Sequence, residues 1–142
     1  MAAPVDWGHI RSSWNNRCLD ADADTLPDNG TRVQLWDCNG TVQQGWRYEY
    51  VELPELVIHV QATDQCLEEA PGGGNGTQVQ LWTCNYLPQQ RWTMTYFRAD
   101  NTVRFRNGLS GRYLDADIAH GNGNGGKVQV WDKLDGVNQH WW

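Results

Sequence analysis

The chain has 142 residues, a net charge of −6 and a pI near 5.0. That length fits one domain, and the acidic balance excludes a nucleic-acid partner, whose phosphates require clustered Lys and Arg. No apolar run approaches the roughly 20 residues of a membrane-spanning helix, and residues 1–4 carry neither a basic nor an apolar leader segment, so neither membrane insertion nor a signal peptide is expected there.

The first predicted strand covers residues 8–11, and the second carries "RCLDAD" at 17–22. A turn follows in "DNGTR" at 28–32, where Asn-Gly supplies the positive φ that a tight hairpin needs. "VQLW" at 33–36 is the third strand, and "QGW" at 44–46 opens the fourth. The order then begins again. A strand at 57–60 is followed by "QCLEEA" at 65–70, a turn in "GNGTQ" at 74–78, "VQLW" at 79–82 and "QRW" at 90–92. A third round has a strand at 103–106, then "RYLDAD" at 112–117, "NGGK" at 124–127, "VQVW" at 128–131 and "QHW" at 139–141. Several independent marks keep one order three times, which predicts an internal repeat. The expected repeats are 8–50, 56–97 and 102–142 within a single domain, 1–142, each with four short strands and no long helix. Fifteen Gly and few sustained helical periods agree with an all-β chain. No such unit buries its apolar face alone, so the three are expected to share one core.

Nine Trp stand against two Phe, more indole than a core alone requires. In a strand, neighbouring residues face opposite ways. In "VQLW", Val33 and Leu35 therefore face the core, while Gln34 and Trp36 share the outer face. The same holds for Gln80 with Trp82 and for Gln129 with Trp131. Trp46, Trp92 and Trp141 are the expected core anchors. An outer Trp could simply be covered by a neighbouring loop. Three equivalent ones, each beside Gln and in register with an acid, point instead to a surface that binds something.

Cys18 and Cys38 hold the same two places in the first repeat as Cys66 and Cys84 in the second, and the third has Tyr113 and Lys133 there. Four cysteines allow three pairings. The joint loss favours Cys18–Cys38 and Cys66–Cys84, and hence an oxidising, secreted setting. The spacing is not that of a zinc site, and no metal or other cofactor is expected. His9, His59, His120 and His140 show no ligand spacing and are expected at the surface or within strands. The Glu68–Glu69 and Asp20–Asp22 pairs lack the geometry of two carboxylates flanking a glycosidic bond, so no catalysis is expected. Glycine loops at 72–76 and 121–126 open no helix and read as hairpin turns, not phosphate cradles. Asn29, Asn39 and Asn75 begin glycosylation-type triplets that a turn rich in Asn, Gly and Thr produces in any case.

Together the three "QxW" triplets, in register with the "CLD" and "VQLW" marks, resemble the ricin-type lectin family over nearly the whole chain. The resemblance implies a β-trefoil of three pseudo-threefold repeats, with one shallow sugar site in each. It implies Asp20, Gln34, Trp36, Gln43 and Gln44 as one site, and Asp115, Gln129, Trp131, Asn138 and Gln139 as another. The remaining set, Glu68, Gln80, Trp82, Gln89 and Gln90, departs from the pattern at Glu68 and is expected to be weaker, because Glu is one methylene longer than Asp. The implied partners are galactose-type, N-acetylgalactosamine-type or xylan-type glycans. The resemblance also fits a module joined to a catalytic or toxin domain in a longer parent chain, or a compact lectin whose "PVDWGHI" segment at 4–10 closes the barrel. The rival reading is a protein-binding trefoil such as a hydrolase inhibitor, since fold does not fix function. An inhibitor would have no need of acid, amide and indole repeated in register.

Overall fold

A computed structural model describes residues 7–142. It is all-β, with ten strands: β1 (Cys18–Ala21), β2 (Val33–Trp36), β3 (Trp46–Glu52), β4 (Glu55–Val60), β5 (Cys66–Glu69), β6 (Thr77–Trp82), β7 (Trp92–Phe97), β8 (Thr102–Asn107), β9 (Tyr113–Ala116) and β10 (Gly126–Trp131). Four single-turn 3-10 segments complete it, at Val42–Gln44, Pro88–Gln90, Ile118–His120 and Val137–Gln139. Three of them deliver a buried Gln two residues ahead of a core Trp.

Twelve strands were expected from the sequence and ten are present among the described residues. The two missing ones are reduced to isolated bridges. Residues 8–12 divide their pairing among three partners, with Gly8 bridged to Trp46, Arg11 to Cys18 and Ser12 to Trp141. No two successive pairs then share one neighbour, and a ladder does not form. Trp141 likewise bridges only Ser12 and Val103. In the "PVDWGHI" segment, Pro4, Val5 and Asp6 lie outside the described residues, while Gly8 exchanges backbone hydrogen bonds with Trp46.

All strand pairs are antiparallel, and the path runs β1-β2-β10-β6-β5-β4-β7-β8-β9, with β3 on β4. A further pairing of β9 with β10 joins the far end of that path to its third strand. The inward faces meet in one core. Leu19, Leu67 and Leu114 pack there with Leu35, Leu81 and Val130 and with Trp46, Trp92 and Trp141. Each large apolar side chain buried in this way contributes about 1.5–3 kcal/mol. The indole N–H groups of the core Trp are satisfied in one manner. Trp46 donates to the Leu19 carbonyl (3.0 Å), Trp92 to Leu67 (3.0 Å) and Trp141 to Leu114 (3.1 Å).

The sheet is reinforced by two covalent bonds and a ring of side-chain latches. Cys18–Cys38 and Cys66–Cys84 are disulfides, with Cα separations of 5.1 and 5.0 Å. Each closes a loop of 20 or 18 residues, an effect of about 3 kcal/mol in the chain-entropy picture. The hairpin glycines Gly30, Gly76 and Gly125 take φ of 92°, 89° and 88°, as the Asn-Gly and Gly-Gly turns required. The Asn nearby does more than turn the chain. Asn29 Oδ1 accepts from the Thr83 backbone N–H, Asn75 Oδ1 from Asp132 and Asn124 Oδ1 from Asp37, each at 2.8 Å. The latches run from the first repeat to the second, the second to the third and the third back to the first.

Candidate functional site

The acid of each "LD" or "LE" mark and the Gln of each "VQ" mark are directly opposed across two strands. Asp20 faces Gln34 on β1 and β2, Glu68 faces Gln80 on β5 and β6, and Asp115 faces Gln129 on β9 and β10. Strand alternation sends the flanking Leu pairs inward and these polar pairs to the other side. The 3-10 turn before each core Trp then delivers a second amide.

In the first cluster, Gln34 Nε2 donates to Asp20 Oδ1 (3.2 Å) and Gln44 Nε2 to Asp20 Oδ2 (2.8 Å). In the third, Gln129 Nε2 donates to Asp115 Oδ1 (3.0 Å), and Gln139 Nε2 (2.9 Å) and Asn138 Nδ2 (3.1 Å) both donate to Oδ2. In the second, Gln80 Nε2 and Gln90 Nε2 donate to Glu68 Oε2 and Oε1 at 2.8 and 2.9 Å. The longer Glu therefore receives the same two amides as the Asp residues do. The second Gln of each cluster is itself fixed: Gln44, Gln90 and Gln139 also donate to the carbonyls of Asp37, Thr83 and Asp132. Their Oε1 atoms accept backbone N–H groups from the preceding loop, those of Asn39, Asn85 and Leu134. The Gln43 and Gln89 side chains make no bond like that of Asn138 among the described residues.

Asp20 and Asp115 are 4% and 3% exposed, and burial pushes both carboxyls above the usual aspartate value of 3.8. The amide hydrogen bonds pull each partly back, while Asp22 and Asp117 nearby push the same way as burial. Sequence alternation put Gln34 and Gln129 on the outer face. They are on that side, but buried beneath it, because they spend their amides on the acids.

Trp36 and Trp82 are each 39% exposed, and Trp131 is half-buried. Part of the cover comes from a neighbouring turn: a Cβ on Gly76 would stand 3.6 Å from Trp131 Cζ3, and one on Gly30 would stand 4.0 Å from Trp82 Cζ3. Trp131 and Trp82 thus each have the turn of a neighbouring repeat against one edge, while the corresponding Gly125 turn meets Arg32 and not Trp36.

Cavities differ among the clusters. At the first, about 330 Å³ is lined by Asp20, Gln34, Trp36 and Gln43, together with Asp22 and Asn39. At the third, about 210 Å³ is lined by Asp115, Gln129, Trp131 and Asn138, with Ile118 and Leu134 added. At the second, about 520 Å³ is lined by Glu68 and Gln89 but not by Trp82 or Gln80. Glu69, Ser110 and Arg112 line it instead. Sequence reasoning missed these three. The available signal was Glu69, which stands where the other two repeats have Ala21 and Ala116.

His59 takes the second of the two expected placements, within a strand, and is 3% exposed on β4. Its Nε2 meets Glu49 (2.7 Å), its Nδ1 meets the Asp64 carbonyl (3.0 Å), and the Cys66 and Cys84 sulfurs lie 3.8 and 3.5 Å away. Those sulfurs are joined in one disulfide and offer no thiolate to a metal. Among the described residues no helix is long and apolar enough to cross a membrane.

Residues 6–142 match the family described as ricin-type beta-trefoil lectin domain. Solved structures with similar folds include the designed 3-fold symmetric protein ThreeFoil, at TM-score 0.88 and 18% identity over 95% of each chain. An exo-beta-1,3-galactanase from Clostridium thermocellum gives TM-score 0.89 and 22% identity over 99% of this chain, which spans 30% of that enzyme. A Macrolepiota procera ricin B-like lectin, solved in complex with lactose, gives TM-score 0.81 and 14% identity, covering 99% of this chain and 96% of the other.

Proposed function

The chain belongs to the ricin-type beta-trefoil lectin family, and we propose that it is a non-catalytic carbohydrate-binding protein with three pseudo-threefold repeats and one shallow site in each. Its ligands are galactose-type or xylan-type glycans. The observation that carries this reading is the amide-clamped acid, present in three equivalent positions and sharing a cavity with a partly exposed indole in the first and third.

The chemistry follows from the parts. A pyranose has a C–H face and an edge of hydroxyls. The indole covers the first, worth about 0.5–1.5 kcal/mol beyond area burial if it behaves as an aromatic pair does. The carboxylate accepts protons from adjacent hydroxyls, and bonds to a charged acceptor are the stronger kind. Clamping by Gln44 or Gln139 holds that carboxylate in place before the ligand arrives, so little ordering remains to be done on binding. Asn138, which bonds both Asp115 and the Ala116 carbonyl, makes the third cluster the best ordered. The first is next and the second is weakest for a Trp-stacked sugar, because Trp82 stands apart from the cavity beside Glu68. Few contacts per site imply weak single affinities, and several sites on one polymer raise avidity by about 10²–10⁴ where the geometry allows. Two disulfides suit an oxidising compartment, so the protein is read as secreted.

A glycan array followed by calorimetry with the Asp20→Asn/Asp115→Asn variant tests the reading. Loss of the first and third sites, read as fewer galactose-type or xylan-type ligands bound per chain in the variant, supports it. Absence of any glycan binding by the parent protein overturns it.

A further inference from the structure

The second cluster carries a feature that its two counterparts lack. Glu69 on β5 is 1% exposed, and neither of its carboxyl oxygens has a hydrogen-bond partner among the described residues. The equivalent positions on β1 and β9 are Ala21 and Ala116, both fully buried in the core. The fold therefore accommodates a methyl group at this place, and only here is there a carboxylate. An unpaired buried charge is costly, and among the described residues Ser110 and Arg112 offset that cost only in part. Burial pushes the Glu69 carboxyl up. The Ser110 hydroxyl and backbone and the Arg112 charge face it and pull it only partly back, with no donor in bonding geometry to either oxygen.

Glu69 lines the cleft of about 520 Å³, more than twice the volume at the third cluster. One wall comes from residues 68–73 and Gln89, the other from Leu109, Ser110 and Arg112 ahead of β9. Arg112 is held in position rather than spent on Glu69: it donates to the Gly73 carbonyl and, through Nε, to Asn75 Oδ1 at 2.8 Å. Leu109 and Pro71 supply apolar surface to the cleft, which Trp82 does not reach.

We infer that this cleft is a carbohydrate subsite for a disaccharide or longer chain, in which Glu69 accepts the protons of ligand hydroxyls. It rests on the carbohydrate-binding reading above and gives the second repeat a ligand mode of its own. The first and third clusters hold one sugar against an indole. The second holds consecutive sugars across the seam between the second and third repeats, with Glu69 and Ser110 bonding hydroxyls and Leu109 and Pro71 covering C–H faces. A neutral, hydroxyl-rich ligand fits better than a cationic one, because Arg112 already faces the carboxylate.

The test uses the full chain with Asp20→Asn/Asp115→Asn, so that the second repeat is read alone. Galactose, lactose, xylose and xylobiose are titrated by calorimetry, then titrated again after adding Glu69→Ala. That substitution installs the residue found on β1 and β9, so folding is expected to be retained and the melting temperature to rise. The expected result is a disaccharide bound at least tenfold tighter than its monosaccharide, with a tenfold or greater loss in Glu69→Ala and a smaller loss in Glu69→Gln. Unchanged disaccharide affinity in Glu69→Ala overturns the subsite, and so does a lowered melting temperature, which would make Glu69 a structural residue. If the parent binds glycans but the Asp20→Asn/Asp115→Asn protein binds none of the four, the subsite falls and the lectin reading stands. If the parent binds no glycan, both fall.

Discussion

The indole N–H of Trp141 donates to the Leu114 carbonyl at 3.1 Å, one residue before Asp115. A core anchor and a site carboxylate are thereby tied to the same peptide unit. Trp46 and Trp92 make the same bond to Leu19 and Leu67, each one residue before the acid of its cluster. The depth at which the acid emerges is thus set from beneath. Trp141→Phe keeps an aromatic ring but leaves the Leu114 carbonyl unpaired, at a cost of about 1–3 kcal/mol. The expected outcome is a lowered denaturation midpoint together with weakened binding at the third cluster and unchanged binding at the first. Equal loss at both would mean that the bond supports the fold alone.

Asp115→Asn is expected to abolish glycan binding at the third cluster. One oxygen can still receive Gln139 and Asn138, but an NH₂ group then replaces the acceptor facing Gln129, whose Nε2 has no other partner among the described residues. Stability is expected to fall by about 1–2 kcal/mol, larger than for an ordinary surface exchange. Calorimetric titration and a urea melt of the same sample read the two effects separately.

Acidification is expected to act on binding and on stability with opposite signs. Burial raises the Asp20 and Asp115 carboxyls above 3.8, so each protonates at a higher pH than an ordinary aspartate. A protonated acid cannot accept hydroxyls from a sugar as well as a carboxylate can, and affinity falls as pH drops through the raised value. Stability runs the other way for these two groups. A folded-state pKa above the unfolded one favours the fold at low pH and loses that contribution as pH rises through the folded value. Asp100 and Asp135 are shifted down and give the opposite trend, so the contribution of the buried pair must be isolated by difference. The melting temperature of the parent minus that of Asp20→Asn/Asp115→Asn, followed against pH, should fall as pH rises above about 4. A flat difference would show that neither carboxyl is shifted.

Much of this arrangement was legible in the sequence because it depends on alternation and repetition. The three "QxW" triplets and the "VQLW" marks located the core Trp, the outer Trp and the acid–amide pairs, each of which follows from which way a strand residue points. The disulfides followed from the paired absence at Tyr113 and Lys133. Contacts between repeats were not legible. Nothing in "DNGTR" says that Asn29 will bond the Thr83 backbone 54 residues away, and a turn signal looks the same whether or not its side chain latches onto another repeat. Glu69 was hidden for a related reason. Beside Glu68 it read as one member of an acidic pair, and only its burial sets it apart. The strand expected at 8–11 is missing because Gly8 pairs with Trp46 while Arg11 pairs with Cys18 and Trp142, a division that local pattern does not encode.

Gly76→Ala should weaken the third cluster although Gly76 belongs to the second repeat. The residue has φ of 89°, where Ala is strained, and its new Cβ would stand 3.6 Å from Trp131 Cζ3. Strain in the left-handed region costs on the order of 1 kcal/mol, and the same contact takes away freedom from the indole edge. The expected result is a modest fall in melting temperature, with weaker binding in an Asp20→Asn background that reports the third cluster. An unaltered affinity would mean that Trp131 is indifferent to the turn.

Glu68→Asp tests why the second cluster differs. The sequence suggested that the additional methylene is the defect. The geometry argues otherwise, since Glu68 already receives Gln80 and Gln90 at 2.8 and 2.9 Å, as Asp20 receives Gln34 and Gln44. What the second cluster lacks is the Asn138-type bond and an indole on the cavity wall. Shortening Glu68 would draw the carboxylate away from two satisfied amides without supplying either. In the Asp20→Asn/Asp115→Asn background, Glu68→Asp alone is therefore expected to leave monosaccharide affinity unchanged within a factor of about two, well under the tenfold that 1.4 kcal/mol represents. Glu68→Asp combined with Gln89→Asn, which recreates the Asp115 and Asn138 pair, is expected to bind more tightly than either single change. A tenfold gain from Glu68→Asp by itself would show that carboxylate reach, and not the missing amide, limits this cluster.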